Sequence, residues 1–124
     1  MLSYETDGSI LTLRASGTTT RGEREPVFDA VRADAGVPNG ALLLLDVREV
    51  DVWMSEYVVI ERLRVLLDQL GPKLGPACAM IITPRVADQA RIFQAEGAGF
   101  ALRVGLFSDE QSARKWLNAY RKVD

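Results

Sequence analysis

The side chains best suited to chemistry stand in one short stretch, from Asp46 to Ser55. Ser55 precedes a long apolar-rich run, where a serine has two readings. It is a phosphoacceptor at a helix N-terminus, where the macrodipole and free N–H groups favour an anion. Alternatively it is an ordinary N-cap, whose hydroxyl accepts from a backbone N–H and whose loss costs ~1 kcal/mol. Glu49, Asp51 and Glu56 would repel a dianionic phosphate and only Arg48 relieves that repulsion, so the N-cap reading is favoured. Asp46, Glu49 and Asp51 also suit a divalent cation or an acid–base pair. A solvated turn, with Asp46, Arg48 and Asp51 as a plain polar cluster, is the favoured alternative. Val50, Val52, Trp53 and Met54 make the same segment apolar for a surface turn, with Tyr57 just beyond. Such residues are enriched at interfaces, and they also fold back over cores. Both readings stay open.

Composition removes several classes of function. There is no histidine, the commonest general base at neutral pH, and Cys78 is the one cysteine. No disulfide within the chain and no Cys/His metal set can form, so neither metal nor cofactor is expected. Cys78 itself falls in an apolar run and reads as an inert core thiol. Net charge is −2 with the basic residues scattered, which gives no stripe for a phosphate backbone, so no nucleic-acid partner is expected. Gly17-Thr18-Thr19-Thr20-Arg21-Gly22 lacks the spacing of a phosphate loop. Its threonines suit an anion, but loop chemistry explains them. No apolar run approaches the ~20 residues of a membrane span. The first residues lack the features of a signal peptide, so the expected compartment is the cytoplasm.

The elements that must position these residues are legible from pattern. The length suits one domain over residues 1–124. Residues 42–45 form an unbroken apolar run, which predicts a strand buried on both faces, with Asp46 at its carboxyl end. Residues 3–6 and 10–15 predict an antiparallel hairpin across Asp7-Gly8-Ser9. A helix is predicted over 25–35 with Pro26 in its first turn, then a loop over 47–54 and a helix over 55–70. That helix is apolar beyond a single stripe, so it is packed on two sides or partly covered by a partner. A strand over 77–82 follows, then a helix with Thr83 as N-cap and Pro84 at its first position. A strand over 100–107 precedes a capping box at 108–111 and a closing helix whose inward residues are Ala113, Trp116, Leu117 and Tyr120. This alternation predicts an α/β domain: a mostly parallel sheet of about five strands, an N-terminal antiparallel hairpin strand, and about four helices.

Several landmarks carry a family resemblance. Asp46-Val-Arg-Glu-Val-Asp-Val-Trp-Met-Ser55 resembles the strand, turn and phosphoacceptor segment of STAS domains, the anti-sigma-factor antagonist fold typified by SpoIIAA. Ile81-Ile82-Thr83-Pro84-Arg85-Val86 resembles the strand that ends in a Ser/Thr-Pro helix start. Phe93, Gly97, Leu106-Phe107-Ser108-Asp109-Glu110 and Ala113-Arg-Lys-Trp116-Leu117 resemble the last helices and strand of uncharacterised bacterial SpoIIAA-like proteins. The Asp-Ser-Ser-Gly motif of the phospho-switch members is matched only at Ser55, within Met54-Ser55-Glu56-Tyr57. The resemblance thus implies a non-catalytic protein-interaction or regulatory module without the usual switch. We expect a homodimer or another protein partner, contacted through residues 47–57. A relation to the lipid-binding CRAL-TRIO fold implies the alternative, a small apolar-ligand or lipid carrier in which the helix over 55–70 walls a pocket. An enzyme using Asp46 and Asp51 with a metal ranks last.

Overall fold

Residues 1–50 and 54–123 are described by a computed structural model, with side chains as far as Tyr120. Strands β1 (Leu2–Asp7) and β2 (Ile10–Gly17) pair antiparallel across a turn in which Gly8 has φ 60°, a conformation that glycine adopts without steric cost. There follow α1 (Arg21–Ala33), β3 (Ala41–Val50), α2 (Glu56–Leu70), β4 (Leu74–Ile81), α3 (Ala87–Gly99), β5 (Arg103–Phe107) and α4 (Glu110–Val123). The five strands lie in the order β1-β2-β3-β4-β5, and every pair after the first is parallel. This is the expected α/β architecture.

The apolar run in β3 is unbroken because both of its faces are covered. Strand alternation sends Leu43 toward α1, α2 and α3, into one core with Leu11, Leu13, Cys78 and Met80. Leu42 and Leu44 face the other way, into a smaller core with Ile10, Ala79 and Ile81 under Ala113 and Leu117 of α4. Three helices therefore cover one face and a single helix covers the other. Gly105 in β5 lets α4 come close: a Cβ there would sit 2.8 Å from Cε2 of Phe107 and 3.2 Å from Cε2 of Trp116. The apolar width of α2 has its explanation here, since Val59, Leu63, Leu66 and Leu70 are buried in the three-helix core while Val65 and Leu67 pack partly buried against it.

Several element ends differ from the sequence expectation. Helix α1 begins at Arg21, because Thr20 and Glu23 form a capping box in which the Thr20 hydroxyl accepts from the Glu23 amide at 3.2 Å. Pro26 consequently lies inside the helix rather than in its first turn. Strand β3 continues past Leu45 to Val50, so Asp46 is an interior strand residue, paired with Arg14 on β2 and Ile81 on β4. The stretch from Val47 to Val50, expected as loop, is therefore strand. Strand β4 accompanies β3 as far as Asp46, and β2 alone pairs with it beyond, through Ser16 opposite Glu49 and Gly17 opposite Val50. Strand β4 likewise begins earlier, at Leu74. The Thr83 side chain caps no helix: Pro84–Val86 form a 3-10 turn, α3 starts at Ala87, and the buried Thr83 hydroxyl has no hydrogen-bond partner among the described residues. Helix α3 runs through Gly99, which delays β5 to Arg103. At α4 the capping side chain belongs to Asp109 rather than Ser108, with Oδ1 accepting from the Ser112 amide at 2.8 Å.

Candidate functional site

An apolar cavity of about 170 Å³ lies inside the larger core, between the sheet and its three helices. Alternation along the strands aims Leu13, Leu45, Val47 and Met80 at it, and they form its floor. Phe28 of α1, Leu66 of α2 and Phe93 of α3 form the walls. Ala90, almost fully buried on α3, leaves room where a longer side chain would fill the space. Near the carboxyl ends of β2 and β3 the lining includes Thr18, Thr19, Met54 and Gln89, and these form its rim. Open α/β sheets characteristically bind ligands beyond the carboxyl ends of their strands.

Two arginines complete the rim. Arg24 of α1 donates from Nη1 to the Thr19 carbonyl at 2.8 Å. Arg62 of α2 donates from Nη1 to the Thr19 hydroxyl at 3.0 Å and from Nη2 to the same carbonyl at 3.4 Å. Both side chains line the cavity. Burial draws the Arg62 guanidinium below its ordinary pKa, the positive charge of Arg24 adds to this, and the charge of Glu61 offsets part of it.

The residues singled out in the sequence fall at three separate places. Asp46 lies on the opposite face of the sheet, only 8% exposed. Arg14 donates from Nη1 to its Oδ2 at 2.8 Å, and Arg48 donates from Nε to Oδ1 at 3.0 Å and from Nη2 to Oδ2 at 2.9 Å. The Arg48 amide adds a bond to Oδ1 at 3.1 Å. Burial works to raise the Asp46 pKa, but the hydrogen bonds and charge of Arg48, with Arg14, outweigh it and hold the carboxyl below the usual range. Arg14 also reaches Glu5 at 3.0 Å and Glu110 at 2.8 Å, and Glu110 is held by Arg114 at 2.8 Å. The solvated turn expected around Asp46 is thus an ion-pair network inside the sheet, because β3 continues and its neighbour β2 supplies Arg14. Glu49 is exposed. Among the described residues, no group of three His, Cys, Asp or Glu side chains is placed to hold a metal ion.

Val50 and Met54 face the cavity, and Val50 is 7% exposed. Tyr57 stands 74% exposed, away from them. Asp51, Val52 and Trp53 lie outside the described residues. Ser55 is exposed, and its Oγ accepts from the Val58 amide at 3.3 Å as the N-cap of α2. Cys78 is fully buried, and burial pushes its thiol up to about 12. No helix among the described residues is long and apolar enough to cross a membrane.

Arg24 and Arg62 were not singled out from the sequence, although each carries a signal. Arg62 stands three residues after Val59 and four before Leu66, so it shares their apolar face. Arg24 stands four residues before Phe28 in the same way. An arginine inside an apolar stripe turns its charge toward the core side of the helix.

No family model matches the sequence, and comparison with curated proteins gives no match. Among solved structures, the chain is similar to an uncharacterised protein of the DUF3478 family from Shewanella loihica PV-4, which has a SpoIIAA-like fold. The TM-score is 0.65 at 21% identity, over 94% of this chain and 92% of that one. The chain therefore has a SpoIIAA-like fold, in agreement with the resemblance carried by its sequence. At that identity the likeness speaks for the fold, and function has to be argued from this chain's own side chains.

Proposed function

We propose that the chain is a non-catalytic module that holds a small apolar ligand between its sheet and helices α1, α2 and α3. The observation that carries this reading is the cavity of about 170 Å³, lined mostly by apolar side chains with polar ones gathered at one end. Protein interiors pack to crystal density and leave few voids larger than a water molecule. Apolar cavities of ~150 Å³ stay dry and take up benzene-sized guests. Val59 and Leu66 of helix α2 line the space, which supports this reading. Of the residues expected to form a protein-contact surface, Val50 and Met54 line the cavity and Tyr57 is exposed, while Val52 and Trp53 lie outside the described residues. Catalysis through Asp46 is disfavoured, because both of its oxygens are occupied by arginines.

Toluene is a neutral probe of matching size. It is expected to raise the Tm of the wild type with increasing concentration, since a ligand that binds only the folded state stabilises it by mass action. In NMR spectra of methyl-labelled methionine, the Met54 and Met80 signals should shift on titration. Met1 does not line the cavity and serves as the internal control. Ala90→Leu, which places a larger side chain in the cavity, should abolish both effects while retaining a cooperative melt of its own. A wild type whose Tm and Met54 and Met80 signals ignore toluene would refute the proposal.

A further inference from the structure

The rim of the cavity is more specific than its apolar body. Arg24 and Arg62 come from different helices and meet on one acceptor, the Thr19 carbonyl. Like charges drawn together cost free energy unless an anion sits between or beside them. Six other arginines, Arg14, Arg21, Arg32, Arg48, Arg91 and Arg114, each hold a carboxylate in an ion pair, while Arg85 donates to the Val50 carbonyl and Arg103 lies over the Tyr120 ring, so what sets Arg24 and Arg62 apart is their meeting on one acceptor beside the cavity. Among the described residues, neither Arg24 nor Arg62 has a carboxylate within ion-pair distance. Both are half-buried rather than extended into solvent. Two paired positive charges thus stand at the polar end of an apolar space, each with N–H donors beyond those bonded to Thr19. The Thr19 hydroxyl accepts from Arg62 and retains its own O–H as a donor.

We infer that the ligand is a small organic acid: its apolar body fills the cavity, and its carboxylate is held at the rim by Arg24, Arg62 and the Thr19 hydroxyl. This assignment rests on the ligand-binding reading above and adds the ligand's charge and chemical class. The guanidinium fork matches the two oxygens of a planar carboxylate, and hydrogen bonds between two charged partners are the strong ones. A monoanion also costs less to desolvate at a half-buried rim than a phosphate dianion does. The cavity volume limits the buried body to roughly six to eight carbons, the size class of benzene-binding cavities. Anion binding would relieve the repulsion between the two arginines and would restore to Arg62 the charge stabilisation that burial removes.

The test compares ligands of equal length and different heads: hexanoate, 1-hexanol, hexylammonium and hexyl phosphate. Affinities are read from the Met54 and Met80 methyl signals at low ionic strength. Hexanoate should bind about tenfold or more tighter than 1-hexanol, as expected for a charge-assisted hydrogen-bonded head. Hexylammonium should bind most weakly. Arg24→Gln and Arg62→Gln should each lower hexanoate affinity about five- to tenfold and 1-hexanol affinity by much less, and a toluene-induced shift of the Met80 methyl signal retained in both variants shows that the cavity is intact. If 1-hexanol binds as tightly as hexanoate, or if neither variant weakens hexanoate, the carboxylate assignment is overturned while the apolar-ligand reading survives. Hexyl phosphate binding more tightly than hexanoate would overturn the choice of head group. If none of the four binds, both readings fall together.

Discussion

Around Asp46, two arginines do the work of water. Its two carboxylate oxygens accept four hydrogen bonds, all from Arg14 and Arg48, and the side chain is almost out of solvent. Asp46→Asn removes the negative charge and one of the two acceptor oxygens and turns an amide NH2 toward the guanidinium groups, so it should destabilise the fold by about 1–3 kcal/mol at neutral pH. The pH dependence has a definite sign. The Asp46 pKa is held below its unfolded value, so its contribution is complete above about pH 4 and is lost as pH falls further, through the folded pKa. Urea unfolding of both proteins at pH 7 and pH 3 should show the gap between wild type and variant shrinking in acid. A gap that stays constant would mean that the carboxylate charge is not what stabilises the cluster. Glu110, lowered by Arg114 and then by Arg14, adds acid sensitivity of the same sign in both proteins.

Helix starts illustrate what a local signal can specify. Ser55 before α2 and the capping residues Thr20 and Glu23 before α1 act within one turn, so their chemistry is contained in a few neighbouring residues. Ser55→Ala should cost about 1 kcal/mol, whereas Ser55→Asp should stay within about 0.5 kcal/mol of wild type, since aspartate also caps and its charge favours a helix N-terminus. Equal losses in the two variants, by chemical denaturation, would show that the hydroxyl contributes something other than capping. The order of strands and helices, the unbroken apolar run of β3 and the inward face of α4 were legible for the same local reason. Strand ends were not. Strand β3 extends to Val50 because β2 pairs with it there, and Arg14 meets Asp46 only through sheet register, 32 residues away in the chain. The cavity was illegible too, because it is a gap between elements. Its rim arginines were visible only as charges interrupting apolar faces.

The whole molecule is asymmetric: three helices and a cavity load one side of the sheet, and one helix with an ion-pair network loads the other. Ligand occupancy on the three-helix side should therefore act on the larger core, in which Cys78 is fully buried. That thiol is the only one in the chain, and its pKa of about 12 leaves almost no thiolate near neutrality. The molecule thus carries its own stopwatch. A thiol-trapping reagent can react with Cys78 only during excursions that expose β4, so at neutral pH the trapping rate should be about 10³-fold or more below that of the chain unfolded in urea. Guests in the cavity should slow it further, in proportion to how much of the protein they occupy. A single natural cysteine, silent in the resting fold, would then time how often the core opens and register whatever holds it closed, without any label being engineered in.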